Sequence, residues 1–157
     1  MDTTDILISI RKIVRAINLE SKRVQKEYGV SIPQILCLSF LRESNNFQNT
    51  QYNIREFLNL NPSTVTGIIN RLEKRGLIAR LPKTGDKRVT NISLTSSGDQ
   101  LIKKIPPLLH EQLAEKLDNL NMNQKEVLYS GLNKLVELLD ISGVEASPVL
   151  TMEDDLE

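Results

Sequence analysis

The chain has 157 residues, enough for one domain or for two small ones sharing an interior. Twenty cations balance twenty anions, and a single cysteine, Cys37, excludes an internal disulfide and fits a reducing compartment. No apolar run approaches the roughly 20 residues that span a bilayer, and the acidic start MDTTDILISI lacks the cationic opening of a signal peptide, so a cytoplasmic protein with no membrane partner is expected.

The first predicted element is an amphipathic helix over 4–28, with Ile6, Ile10, Ile13, Val14, Ile17 and Val24 spaced by threes and fours along one stripe. SIPQILCLSFLRES then sets Ser31 and Gln34 in capping-box relation with Pro33 in the first turn, which predicts a second helix over about 32–43. NNFQNTQY reads as a polar loop with room for a short extended piece. IREFLNL makes a brief third helix ending near Asn59.

Asn61-Pro62 is an N-cap followed by proline at the first helical position. The helix it opens, PSTVTGIINRLEKR, buries Val65, Ile68, Ile69 and Leu72 and stops at Gly76, with Leu77 folding back onto the last turn. Two strand-like pieces follow, about 77–82 and 88–94, separated by Thr84-Gly85-Asp86-Lys87. Thr95 caps a helix over 96–118 that Pro106-Pro107 must kink or break. A last helix, about 124–140, repeats Leu128, Leu132, Leu135 and Leu139, and the segment after Gly143 is expected to be disordered.

This order predicts a mainly α fold with a small β-hairpin wing. It is a winged helix-turn-helix over 31–95 flanked by helices at 1–30 and 96–142, with an acidic tail at 143–157. The flanking stripes exceed what a DNA-binding unit needs, and a second copy of the chain would bury them, so a homodimer is expected. The balanced charge is unevenly spread: between Pro62 and Asn91 seven cations face two anions, whereas from Ile141 onward there are five acids and no base. Any solvated helix face can carry a short basic stretch, so charge supports a nucleic-acid partner only together with this architecture.

With those elements in place, the sequence resembles the MarR family of bacterial transcription regulators over about residues 6–140. The wing motif D-x-R-x₅-L-T stands here as Asp86, Arg88, Leu94 and Thr95, with S-T-V-T at 63–66 and N-R-L-E…G-L-I across 70–78. The resemblance implies a dimer of winged helices with both termini in the dimer interface, and a small-molecule effector between the dimerisation helices and the winged domain. Arg15, Tyr28, Phe40 and Arg42 are the positions considered for such a ligand, and none is assigned. The chain departs from the family pattern at Arg55 and Asn59, where relatives carry alanine and often glycine, and at Gly67, where a longer side chain is common.

The expected function is sequence-specific binding of double-stranded DNA by a transcriptional regulator, with repression the expected mode, on a pseudo-palindromic site whose half-site centres lie about 10 base pairs apart. Ser63, Thr64 and Thr66 are short hydroxyls at the start of the reading helix, able to reach base edges or phosphates. Asn70 and Arg71 follow a turn or two later, with Arg71 gripping a phosphate or pairing with Glu73 or another acid. In the wing, Arg88 enters or flanks the minor groove. Asp86 braces its guanidinium, while Lys83 and Lys87 meet phosphates.

Other readings are weighed against this one. The winged helix could be a degenerate protein-interaction module, or Cys37 a redox sensor, although ILCLSFL reads as a core helix in which cysteine acts as a small hydrophobe. One cysteine and one histidine, His110, leave a transition-metal sensor short of ligands. No nucleophile–base pairing or phosphate-binding glycine loop is evident, so neither a cofactor nor enzymatic activity is expected.

Overall fold

The computed structural model describes residues 1–152. These divide into two compact units, one of residues 1–106 with 151–152, the other of residues 107–150. Four of the acids expected in the tail, Glu153, Asp154, Asp155 and Glu157, lie outside the described residues. Among the described residues no helix or strand follows Leu138.

In the first unit, α1 runs Thr3–Tyr28, opened by an Asp2–Asp5 capping box and closed by Gly29 at φ 70°. Helix α2, Ile32–Glu43, begins at the Ser31–Gln34 box: Gln34 N donates to Ser31 Oγ at 3.2 Å, and Ser31 N donates to Gln34 Oε1 at 3.1 Å. Every residue from Ile32 to Leu38 is buried, as expected of a helix that is the middle of a core rather than its edge. Helix α3 runs Gln51–Leu58, and Thr50 Oγ1 caps it by accepting from Asn53 N at 3.0 Å. It begins three residues before Ile54, where apolar spacing places its start.

Helix α4, Pro62–Lys74, is capped by Asn61, whose Oδ1 accepts from Thr64 N at 2.8 Å. Gly76 at φ 74° turns the chain, and Leu77 N donates to Leu72 O at 3.0 Å, the six-to-one bond of a Schellman ending. Three strands form one antiparallel sheet in the order β1–β3–β2: β1 is Gln48–Thr50, β2 Ile78–Arg80 and β3 Asn91–Leu94. The wing strands are shorter than expected. The ladder reaches one bond further, Leu81 N to Asn91 O at 2.9 Å, and then meets Pro82, which has no N–H to give.

Helix α5, Ser96–Lys104, starts where Thr95 Oγ1 accepts from Gly98 N at 3.1 Å and ends before Pro106-Pro107. The prolines break the helix here, and α6, Leu109–Asp118, is separate. The core of the first unit collects Ile32, Leu38, Leu41, Ile54, Ile68, Ile69, Leu72, Ile78 and Ile92, each at most 2% exposed. Side chains of this size contribute about 1.5–3 kcal/mol each by leaving water. Phe40 stacks on Phe57 at 4.6 Å between ring centres, joining α2 to α3.

The second unit consists of α6 and α7, Met122–Leu138, the latter opened by an Asn121–Gln124 capping box. Neither helix has a buried residue. Leu128, Leu132 and Leu139 are 44%, 49% and 58% exposed despite their regular spacing. On α1, Leu7, Ile8, Ile13 and Val14 are exposed likewise.

Candidate nucleic-acid interface

Helix α4 buries one stripe and turns the other outward. Thr64, Val65, Ile68, Ile69 and Leu72 face the core, while Ser63, Thr66 and Asn70 are exposed and Gly67 is half-buried. Thr64 is 4% exposed, so the expectation that it reaches DNA fails on geometry: it stands one turn before Ile68 and two before Leu72, in the buried stripe. Ser63 Oγ donates to Asn61 Oδ1 at 2.8 Å and Thr66 Oγ1 donates to the Pro62 carbonyl at 2.9 Å, which leaves lone pairs on both hydroxyls at the outer surface.

The later turns of α4 are held by Arg80 of β2. Its guanidinium donates to Glu73 Oε1 at 2.6 Å and to Asn70 Oδ1 at 2.7 Å, and its backbone N–H donates to Glu73 Oε2 at 3.2 Å. Glu73 is thus the partner of Arg80. Arg71 instead folds back along the helix, and a Cβ on Gly67 would stand 3.4 Å from its guanidinium. The glycine that departs from the family pattern gives that guanidinium room on the outward face.

In the wing, Asp86 and Arg88 form a two-pronged pair. Arg88 Nε donates to Asp86 Oδ1 and Nη2 to Oδ2, both at 3.0 Å, and the Arg88 backbone N–H adds a third bond to Oδ1 at 3.0 Å. These bonds hold the Asp86 carboxyl below its usual range and raise the Arg88 pKa further still. The Arg88 side chain is nevertheless 90% exposed, so the pair aims a cation outward instead of neutralising it in the interior. Lys83 Nζ donates to the Lys87 carbonyl at 2.9 Å, closing the turn, and Lys87 is exposed. The remaining letters of the wing motif are structural. Leu94 is 8% exposed, and Thr95 Oγ1 donates to the Gly76 carbonyl at 2.7 Å while capping α5.

Between the wing and the start of α4 lies a groove of about 810 Å³, lined by Gln51, Arg55, Thr66, Asp86, Arg88 and Thr90 among others. Gln51 and Arg55 are additions that periodicity missed. Gln51 Nε2 donates to Thr66 Oγ1 at 3.3 Å, and its backbone N–H donates to Thr90 O at 2.9 Å. Arg55 lies over the Tyr52 ring, 5.2 Å from its centre. The signal available in the sequence was Thr50 three residues before Asn53, a cap relation that starts α3 at Gln51.

Cys37 is fully buried, and desolvation pushes its thiol up to about 12. A thiolate is needed for oxidation by peroxide, and at neutral pH almost none forms. A thiol reagent added to the native protein is therefore expected to react only at the unfolding rate, with full reaction in denaturant. Rapid labelling of the native protein would return the redox reading.

A helix presented by its capped N-terminus, a hairpin tipped by an aimed arginine and a sheet joining the two define a winged helix-turn-helix protein. Residues 30–90 match the sequence pattern of the MarR family. The HTH-type transcriptional repressor MdtR of Bacillus subtilis is 33% identical over 96 residues, which is 61% of this chain and 61% of MdtR's length. Among solved structures, the S. aureus MepR–DNA complex superposes with a TM-score of 0.62 at 22% identity, covering 88% of this chain and 98% of the other. Sco3205 of Streptomyces coelicolor, a MarR family transcriptional regulator in complex with DNA, gives 0.63 at 20% identity, covering 92% and 96%. Residues 30–90 thus carry the MarR-family pattern, on a fold shared with these DNA-bound regulators.

Proposed function

We propose that this protein represses transcription as a homodimer that binds double-stranded DNA, with α4 in the major groove and the wing against the adjacent minor groove. The observation that carries the reading is the braced Arg88, a cation 90% exposed and directed by three hydrogen bonds to one carboxylate. A turn that is merely solvated has no need to fix its arginine. Ser63, Thr66 and Asn70 supply the reading face, and Arg71, Lys83 and Lys87 supply phosphate contacts. Gln51 and Arg55 join them from α3.

Dimerisation is supported by the exposed apolar stripes of α1 and α7. A capped helix with leucines at regular spacing and none of them buried is a helix awaiting a partner. A small-molecule effector acts, on this reading, through unequal affinity for two spacings of the paired DNA-binding units. Of the four positions considered for it, Phe40 stacks on Phe57 and Arg42 pairs with Asp99 at 3.1 Å. The role is regulatory rather than catalytic, in the cytoplasm; among the described residues no helix is long and apolar enough to cross a membrane.

The test is titration of a random-sequence duplex at low and high salt, alongside sizing of the protein. Salt-sensitive binding by a dimer is expected, together with monomers and weakened DNA binding for Leu132→Lys. A wild-type protein that stays monomeric at micromolar concentration and ignores duplex DNA would favour the interaction-module reading.

A further inference from the structure

We infer that a recess on the flank of α4 away from the wing seats a second phosphate of the duplex, an assignment that rests on the DNA-binding reading above. The recess has a volume of about 490 Å³ and forms where the end of α1, the start of α2 and the last turns of α4 meet. It is lined by Gly29, Ser31, Gln34, Arg71, Lys74 and Arg75, so three cations and, among the described residues, no acid line it. The acid nearest them in sequence, Glu73, is bonded to Arg80.

The capping box engages the Ser31 amide, the Ser31 Oγ as acceptor and Gln34 Oε1, so the backbone amide at the start of α2 is spoken for and the charge at the site is that of the cations. Arg75 is fixed in place, its Nη1 donating to the Gly29 carbonyl at 2.5 Å. Arg71 lies alongside over Gly67. Lys74 is exposed in the last turn, on the same outward line as Ser63, Gly67 and Asn70.

Helical phase puts the recess opposite the wing. Pro62 and Thr66 border the wing-side groove, whereas Arg71 and Arg75 project roughly half a turn around α4 from them. A helix about 10–12 Å across fills a major groove about 12 Å wide. The two phosphate backbones then run along its two flanks. One meets the groove that holds Arg55 and Arg88; the other meets the recess. A row of phosphates delivered by insertion of the helix suits an open, shallow site better than a free anion does, because a free anion would keep most of its water there.

The experiment measures binding to a random-sequence duplex across a salt series for wild type, Lys74→Gln, Arg71→Gln and Arg88→Ala. Lys74→Gln is expected to keep the wild-type melting midpoint and to weaken binding by about threefold or more on every duplex sequence. Its plot of log affinity against log salt should be shallower by about 0.9 per chain. Its effect and that of Arg88→Ala should add, since the two sites lie on opposite flanks. Wild-type slopes for both Lys74→Gln and Arg71→Gln, with Arg88→Ala still impaired, would overturn the recess while leaving DNA binding standing. Failure of the wild type to bind duplex would remove both. A third arm titrates inorganic phosphate while following the Gly29 and Ser31 amide signals. Saturation there, with an unchanged DNA slope in Lys74→Gln, would assign the recess to a free anion and sink the duplex assignment.

Discussion

Arg88→Ala is expected to weaken duplex binding roughly tenfold or more and to make its salt dependence shallower, while the melting temperature and the dimer stay as they are. The side chain is 90% exposed and bonds only within its own turn, so folding loses almost nothing with it. Asp86→Asn is the sharper companion. Removing a carboxylate near DNA should strengthen binding if charge alone matters. Here the carboxylate takes two bonds from the guanidinium and one from the backbone of Arg88, so its loss frees a side chain that must then be ordered on the DNA. Weaker binding is therefore expected, and a gel-shift titration decides by sign: tighter binding by Asp86→Asn would end the bracing account.

The same pair fixes a pH dependence. The folded Asp86 pKa is lowered, so the brace is complete above the ordinary carboxylate range near 3.9 and is lost only as pH falls through the depressed value. Duplex affinity should consequently show no titration from this pair between about pH 5 and 8.

Gly98→Ala is expected to be the most damaging small change in the first unit. A Cβ at that position would stand 2.2 Å from the Leu77 carbonyl oxygen and 2.7 Å from Leu94 Cδ1. The carbonyl cannot simply yield, because it accepts the Thr95 N–H at 3.2 Å where the sheet meets α5. Overpacking against backbone costs on the order of 1–3 kcal/mol or more, and each kcal/mol lowers the midpoint of a domain this size by about 4–8 °C. Thermal melts followed by circular dichroism measure the loss. DNA binding at low temperature should survive with the wild-type salt slope, since no contact residue changes. A midpoint within a degree or so of wild type would show that the close approach relaxes freely.

Much of the architecture was legible because it is written locally. The Ser31–Gln34 box, the Asn61-Pro62 opening, the Gly76 stop and the Thr95 cap each act over three or four residues, and each appears where spacing puts it. Strand β1 was only a short extended piece in a polar loop, because its partner is distant: Gln48 pairs with Ser93. The first turn of α3 escaped because Gln51, Tyr52 and Asn53 carry no apolar period. Thr64 carries a hydroxyl near a helix start, but four residues before Ile68 it falls in the core stripe. The Asp86–Arg88 brace was legible from the chemistry of its two side chains, whereas the Arg80 clamp on Asn70 and Glu73 needed the fold to bring β2 beside α4.

The small sheet has a mechanical corollary. Because β1 pairs with β3 and the Gln51 amide bonds to Thr90, the foot of α3 is stitched to the root of the wing, and Arg80 stitches β2 to α4. Hairpin and reading helix then present themselves as one stiff body with little freedom to adapt to what they grip. The compliance has to come from the nucleic acid, so steps that kink or narrow cheaply will be favoured even at base pairs no side chain touches.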